Sequence, residues 1–264
     1  MDKASFGGVL LAFGGITAGL LLEGGNLSQV LQPTAAMIVF GGTIGAVLLQ
    51  FPLPVFLDAC RRLAQVFIEA KRDPHTLIQE LVQYANQARR DGIVSLDAEL
   101  EKIQEPFLKK SLMLAVDGTE PDELRKMMEL ELDNKSEHDE KIPQVFESAG
   151  GFSPTVGIIG AVLGLIQVMQ HLDKIDEVGK GIAVAFVATI YGVAAANLIF
   201  LPSAGKLKIR IREEQVIREM TLEGVVSILE GMNPRMLETK LLGFLAESKQ
   251  PASAEKAAAK GAGA

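Results

Sequence analysis

Phe152-Ser-Pro-Thr-Val-Gly-Ile-Ile-Gly-Ala-Val-Leu-Gly-Leu-Ile-Gln-Val-Met169 runs for eighteen residues without an Asp, Glu, Lys, Arg or His. An α-helix of about that length crosses the hydrocarbon core of a bilayer. Three more blocks share the property. Ala4–Leu22 would cover roughly 28 Å at about 1.5 Å per residue, Thr34–Phe51 is followed by Pro52 and Pro54, and Gly181–Leu201 runs into Pro202. Ser153-Pro154 puts a proline where the first turn of a helix tolerates one, so the third helix is expected to start near Phe152. Pro52, Pro54 and Pro202 are expected to stop or kink helices as the chain leaves the membrane. The first block reads as a span rather than a secretory signal, because Lys3 is offset by Asp2 and no small-x-small cleavage site precedes a polar chain.

The composition agrees. Of 264 residues, 48% are hydrophobic and only 5% aromatic, the mean hydropathy is +0.25, and nearly all charges lie outside the four blocks. This segregation is that of a membrane protein. A formal charge of -7 leaves no basic surface for nucleic acid. Cys60 cannot form an internal disulfide, and His75, His138 and His171 are scattered without Cys or His partners at ligand spacing, so no metal is expected.

The expected fold is an all-α integral membrane protein: four transmembrane helices with a helical cytoplasmic lobe inserted between spans 2 and 3. The spans are 1–22, 34–51, 152–170 and 181–202, and short extracytoplasmic loops occupy 23–33 and 171–180. The lobe covers 52–151, helices follow at 203–249, and 250–264 reads as a disordered tail of Ala, Lys and Gly. Within the lobe Leu77, Leu81 and Tyr84 share a helix face. Beyond the fourth span Leu207, Ile211, Val216, Met220 and Ile228 are interleaved with charges. Arg61, Arg62, Lys71 and Arg72 follow the second span and Lys206, Lys208, Arg210 and Arg212 the fourth, which puts both segments and both termini in the cytoplasm. Lys174 and Lys180 of the outer loop run against that rule and are matched by Asp173, Asp176 and Glu177.

None of the four apolar blocks, Ala4–Leu22, Thr34–Phe51, Phe152–Met169 and Gly181–Leu201, contains an Asp, Glu, Lys, Arg or His. A buried charge costs at least about 2.5–3.5 kcal/mol at the bilayer centre and is kept where it transports something. The chain therefore transports nothing, or lines a path whose titrating group belongs to another subunit. The polar residues inside the spans are neutral: Thr17, Thr43, Thr155, Gln167, Thr189, Tyr191 and Asn197. Each can relay water or coordinate an ion, or simply bond a neighbouring helix carbonyl. Gly157-x-x-Gly160-x-x-x-Gly164 and the other glycine repeats imply close helix pairing or oligomerisation. Arg89-Arg90-Asp91-Gly92, Asp97 and Glu99 are an exposed mix of charge, either a solvated face or a binding one. No nucleotide-binding, hydrolase or metalloprotease motif occurs, so an enzyme is not expected.

Glu147–Ile166, Ala183–Gly192 and Asn197–Pro202 closely resemble the third and fourth spans of the MotA/PomA flagellar stator family, within the wider MotA/TolQ/ExbB proton channels. So do Ala88–Asp97, Pro106-Phe-Leu, Val116–Thr119, Asn233-Pro-Arg and Lys240-Leu-Leu, in order over nearly the whole chain. The resemblance implies a homopentamer in the bacterial inner membrane around two single-span MotB-like partners, each supplying a membrane Asp. Ion flow past that Asp would turn the ring and push the rotor protein FliG, with no cofactor beyond the transported ion. By the same likeness Thr155, Ala161, Thr189 and Tyr191 line the ion pathway, Pro154 and Pro202 couple ion flow to movement, and Arg89, Arg90 and Asp97 face the rotor. Asp97 is shorter than the family's usual Glu. Ala161 stands where sodium-driven members have Thr, which favours protons over a sodium-driven PomA-type stator. An ExbB/TolQ-type energising subunit usually has three spans, which the paired N-terminal blocks oppose. A passive membrane scaffold would show no current with its partner.

Overall fold

The computed structural model describes residues 2–67 and 73–248, with side chains through 245, and all regular structure among them is helical. The expected tail, 250–264, lies outside the described residues. In chain order the helices are α1 (Lys3–Leu22), α2 (Pro33–Gln50), α3 (Leu53–Leu63), α4 (Pro74–Asp91), α5 (Asp97–Leu100), α6 (Pro106–Val116), α7 (Pro121–Gln170), α8 (Ile175–Ala194), α9 (Leu201–Leu229) and α10 (Pro234–Ser248). A π-helical segment, Ala195–Phe200, joins α8 to α9. Four helical stretches, Lys3–Leu22, Pro33–Gln50, Pro121–Gln170 and Ile175–Leu229, are long and apolar enough to cross a membrane.

Local chemistry sets the starts. Asp2 accepts from the Ala4 and Ser5 amides at α1, Asp73 from the His75 amide at α4, and Glu105 from the Phe107 and Leu108 amides at α6. These side chains satisfy the orphan donors of a helix N-terminus. Pro33, Pro74 and Pro106 occupy first helical positions, where the missing N–H costs nothing.

Two helix ends differ from expectation. α7 does not begin at Phe152. It is one helix of 50 residues from Pro121, with Pro143 and Pro154 inside it. Hydropathy marks where a helix enters lipid, not where it starts, and residues 121–141 are rich in Leu, Met, Glu and Lys, all good helix formers. Nor does the helix stop at Pro202. The proline is the second residue of α9 in a helix that runs on from Ile175 to Leu229, where the π segment just before it accommodates a residue without an amide. Between α7 and α8 the non-helical connection is short, since α8 starts at Ile175 with Asp176 and Glu177 in its first turn, where acidic side chains favour a helix N-terminus.

The chain divides into two units, residues 1–70 with 139–209, and residues 71–138 with 210–264. In the first, Val47 of α2, Val55 and Ala59 of α3, Ile142, Val145, Phe146 and Ala149 of α7, and Ala204 and Leu207 of α9 form one buried cluster. Ala35 and Val39 of α2 pack on Val187 and Ala188 of α8 in another. α1 buries none of its residues. It is held at its start, where the Asp2 amide donates to the Phe67 carbonyl at 3.1 Å, the Asp2 carboxylate pairs with Lys206, and Phe6 meets Phe67 edge-on at 5.5 Å. In the second unit Leu77, Ile78, Leu81, Leu96, Leu108, Leu112, Leu124, Met128, Met220, Val225, Leu237 and Leu241 close a side-chain core.

Candidate functional site

The apolar half of α7 and the helix α8 meet along a glycine seam. A Cβ on Gly157 would lie 2.9 Å from the Ala188 carbonyl oxygen, and one on Gly164 would lie 2.9 Å from that of Gly181 and 3.0 Å from the Ala185 nitrogen. A Cβ on Gly192 would lie 2.5 Å from the Ser153 carbonyl oxygen. These positions have backbone for neighbours, so the repeat legible in the sequence is the condition for contact at this distance. α2 lies against the same pair of helices: a Cβ on Gly160 would lie 3.3 Å from Ile38, and one on Gly42 would lie 2.7 Å from Val156.

The four residues expected along an ion pathway are placed differently from one another. Thr189 is half-buried at the seam beside Gly157 and bonds its own helix, Oγ1 to the Ala185 carbonyl at 3.2 Å. Thr155 is exposed and donates to the Phe152 carbonyl at 2.7 Å, and Ala161 is half-buried on α7. The Tyr191 hydroxyl donates to the Val30 carbonyl at 2.6 Å and accepts from the Gln32 amide at 3.3 Å, while its ring sits 6.2 Å from Phe40. Tyr191 thus braces the start of α2. Pro154 lies within α7, its Cα 3.2 Å from where a Gly192 Cβ would stand, and Pro202 follows the π segment.

Two features carried little or no signal in the sequence, and a third, Thr43, was legible only as one of the neutral polar span residues. Ser153, fully buried, donates across the seam to the Gly192 carbonyl at 2.6 Å; its only sequence mark is a hydroxyl next to a proline. Arg62 reaches Asp139, a carboxylate with 1% of its side chain exposed, at 2.9 Å from α3 to α7. Thr43 of α2 is buried with its hydroxyl unpaired among the described residues. Outside the spans, the Lys206 ammonium holds the Asp2 carboxyl well below the usual carboxylate range, assisted by the Ser5 and Ala4 amides and opposed by desolvation.

Arg89, Arg90 and Asp97 belong to the second unit and are exposed. The two arginines close α4, where cations suit the helix C-terminus. Gly92 then turns the chain at φ +83, a conformation other residues rarely adopt, and Asp97 opens α5 after the turn Ile93–Leu96. The Ser95 hydroxyl bonds the Gly92 carbonyl at 2.6 Å, and the Gln87 amide bonds the Ser95 carbonyl at 3.0 Å. With Leu96 fully buried beneath, these bonds fix a turn that displays positive and negative charge close together.

The profile of the MotA/TolQ/ExbB proton channel family matches residues 99–220, and that of the Motility protein A N-terminal region matches residues 6–92. Motility protein A of Bacillus subtilis is 37% identical over 93% of this chain and 91% of its own length. The chain belongs to the MotA/TolQ/ExbB proton channel family. Two solved stator structures extend the likeness through the fold. The C. jejuni MotAB structure superposes with a TM-score of 0.86 at 32% identity, over 92% of this chain and 96% of that one. The flagellar MotAB stator complex from Bacillus subtilis gives 0.83 at 36% identity, over 95% and 97%. Within a proton channel family, the seam of α7 and α8 is the part of this chain that combines membrane helices, backbone-close packing and neutral hydroxyls. The family is one of channel subunits rather than of enzymes.

Proposed function

We propose that this flagellar stator subunit assembles as a homopentamer around the membrane helices of a MotB-like single-span partner in the bacterial inner membrane, with both termini in the cytoplasm. Protons pass between the seam helices and the partner, whose membrane Asp takes up and releases each one. Thr155, Ala161, Thr189 and Tyr191 line that passage, Tyr191 also keeping α2 in place, and Pro154 and Pro202 relay the movement. The turn bearing Arg89, Arg90 and Asp97 pushes the rotor protein FliG. The chain itself catalyses no bond chemistry. The reading rests on one observation: a member of a proton channel family has apolar membrane blocks without an Asp, Glu, Lys, Arg or His. A neutral helix stores no proton, and an ionisable group placed in lipid has to be retained for transport. The drive is about 2.3 kcal/mol per elementary charge per 100 mV.

Proton uptake by liposomes holding the chain with its partner tests this. Flux is expected only when both are present, lost on partner Asp→Asn, and unchanged when sodium is removed at fixed pH. Equal flux from the chain alone overturns the shared-site reading, and strict dependence on sodium overturns the choice of ion.

A further inference from the structure

Four polar side chains of the span helices bond inside their own helix. Thr17 bonds Phe13, Thr155 bonds Phe152, Thr189 bonds Ala185 and Asn197 bonds Val193. Ser153 does otherwise. Its hydroxyl crosses to α8 and bonds the Gly192 carbonyl at 2.6 Å. That carbonyl also accepts from the Ala195 amide at the end of α8, where the π segment begins. At the other end the Leu201 amide bonds the Ala196 carbonyl, five residues back, and Pro202 follows with no amide to donate. Backbone contact across the seam is tightest at this level, where a Gly192 Cβ would meet the Ser153 carbonyl and the Pro154 Cα.

We propose that Ser153 is a positioning residue that clamps the last turn of α8 to the proline turn of α7 and so holds the wide π register of Ala195–Phe200. A π turn carries one residue more than an α turn. Its return to α geometry shifts the register by one residue, which is about 100° of rotation and about 1.5 Å of rise for the helix beyond it. Through Ser153, the part of α8 before Gly192 moves with α7, and the register change is confined to the segment ahead of Pro202. The hydroxyl thereby turns a displacement at the seam into rotation of α9. This rests on the stator reading, and it assigns to one side chain and one segment the step between ion passage and movement.

The test uses the full chain with its partner in lipid, with Ser153→Ala, Ser153→Thr and deletion of Ile199 compared against the parent. Hydrogen exchange at amides 195–201, proton flux and motor torque are read. Ser153→Ala is expected to speed exchange in that window by about tenfold or more, a loss of roughly one hydrogen bond's protection. It keeps flux within about twofold of the parent and lowers torque severalfold, and Ser153→Thr, which keeps the hydroxyl, restores both exchange and torque. Deleting Ile199 removes the extra residue, slows exchange in the window and abolishes torque while flux persists. Parental exchange and torque in Ser153→Ala, or parental torque after the deletion, overturn the proposal. Should the parent itself show no partner-dependent flux, the stator reading fails, and the exchange comparison still decides whether Ser153 holds the π register.

Discussion

In the span unit Gly157, Gly164 and Gly192 let α7 and α8 touch backbone to backbone. In the other unit Leu77, Leu81, Leu112, Leu124, Leu237 and Leu241 fill the space between helices with side chains. With the second unit in the cytoplasm, as proposed, the solvent explains the contrast. Lipid tails are as apolar as leucine, so bringing two leucine faces together in a bilayer gains little, and membrane helices associate through close approach and hydrogen bonds such as that of Ser153. In water each buried leucine contributes about 1.5–3 kcal/mol, and a broad apolar core is the efficient solution. The same logic covers α1. A helix with no residue buried would be untenable in water, yet in a membrane its apolar surface needs only lipid or a neighbouring subunit.

If the seam depends on backbone contact, Gly164→Leu has the largest effect. Every atom near its Cβ is backbone of α8, so no side chain can swing aside and the helices separate. Loss of the partner-bound complex on gel filtration, and of flux with it, is expected. Parental recovery of complex and flux would show that the seam tolerates separation.

The side-chain core should behave more gently and be repairable. Leu81 is fully buried, and a Cβ on Gly224 of α9 would lie 2.7 Å from its Cδ1. Leu81→Ala leaves a cavity and is expected to cost about 2–5 kcal/mol, read as faster exchange of the core amides of α4 and α9. In that background Gly224→Ala gains room for its methyl and the better helix propensity of alanine, and should recover about 1 kcal/mol. A further loss on adding Gly224→Ala would mean that the helices had already collapsed into the cavity, making this core as unforgiving as the seam.

The features legible in the sequence were those that the solvent writes into composition. The four apolar blocks, the glycine spacing of 157, 160 and 164, and the core face of Leu77 and Leu81 all follow from lipid or water acting on a regular helix. Less legible was anything set by continuation or by distant partners. Pro154 looked like a helix start because the apolar block starts there, yet residues 121–141 carry the helix through. Pro202 looked like a stop because a π segment upstream leaves no compositional trace. The Tyr191 hydroxyl is committed to Val30, 161 residues away, and Arg62 meets Asp139 across 77. No local pattern encodes such pairs. Arg89 and Asp97 were singled out for the rotor by the resemblance alone, and what the structure adds is the hydrogen-bonded turn between them.

The smallest expected effect lies in the ionic contacts of the leucine-packed unit. Glu223 of α9 accepts from Arg125 of α7 at 2.8 Å and pairs with Lys240 of α10 through its other oxygen. The hydrogen bond from Arg125 is the main force holding its carboxyl below the ordinary range, desolvation opposes it, and Lys240 adds to the lowering; Arg125 is raised in turn, chiefly by Glu223. A carboxyl with a lower pKa in the folded than in the unfolded chain stabilises the fold fully above the ordinary glutamate value, about 4.3, and loses that contribution as pH falls through the folded value. Glu223→Gln is therefore expected to cost roughly 1–2 kcal/mol at neutral pH, between a surface ion pair and a buried charged hydrogen bond. The gap from the parent should narrow as the medium is acidified below about pH 4, with exchange at α9 and α10 amides as the readout. Only the ionised carboxyl bridges α7, α9 and α10, so a gap that stays constant with pH would mean that Glu223 contributes through packing alone. The ionic contacts would then add nothing to what the leucines already supply.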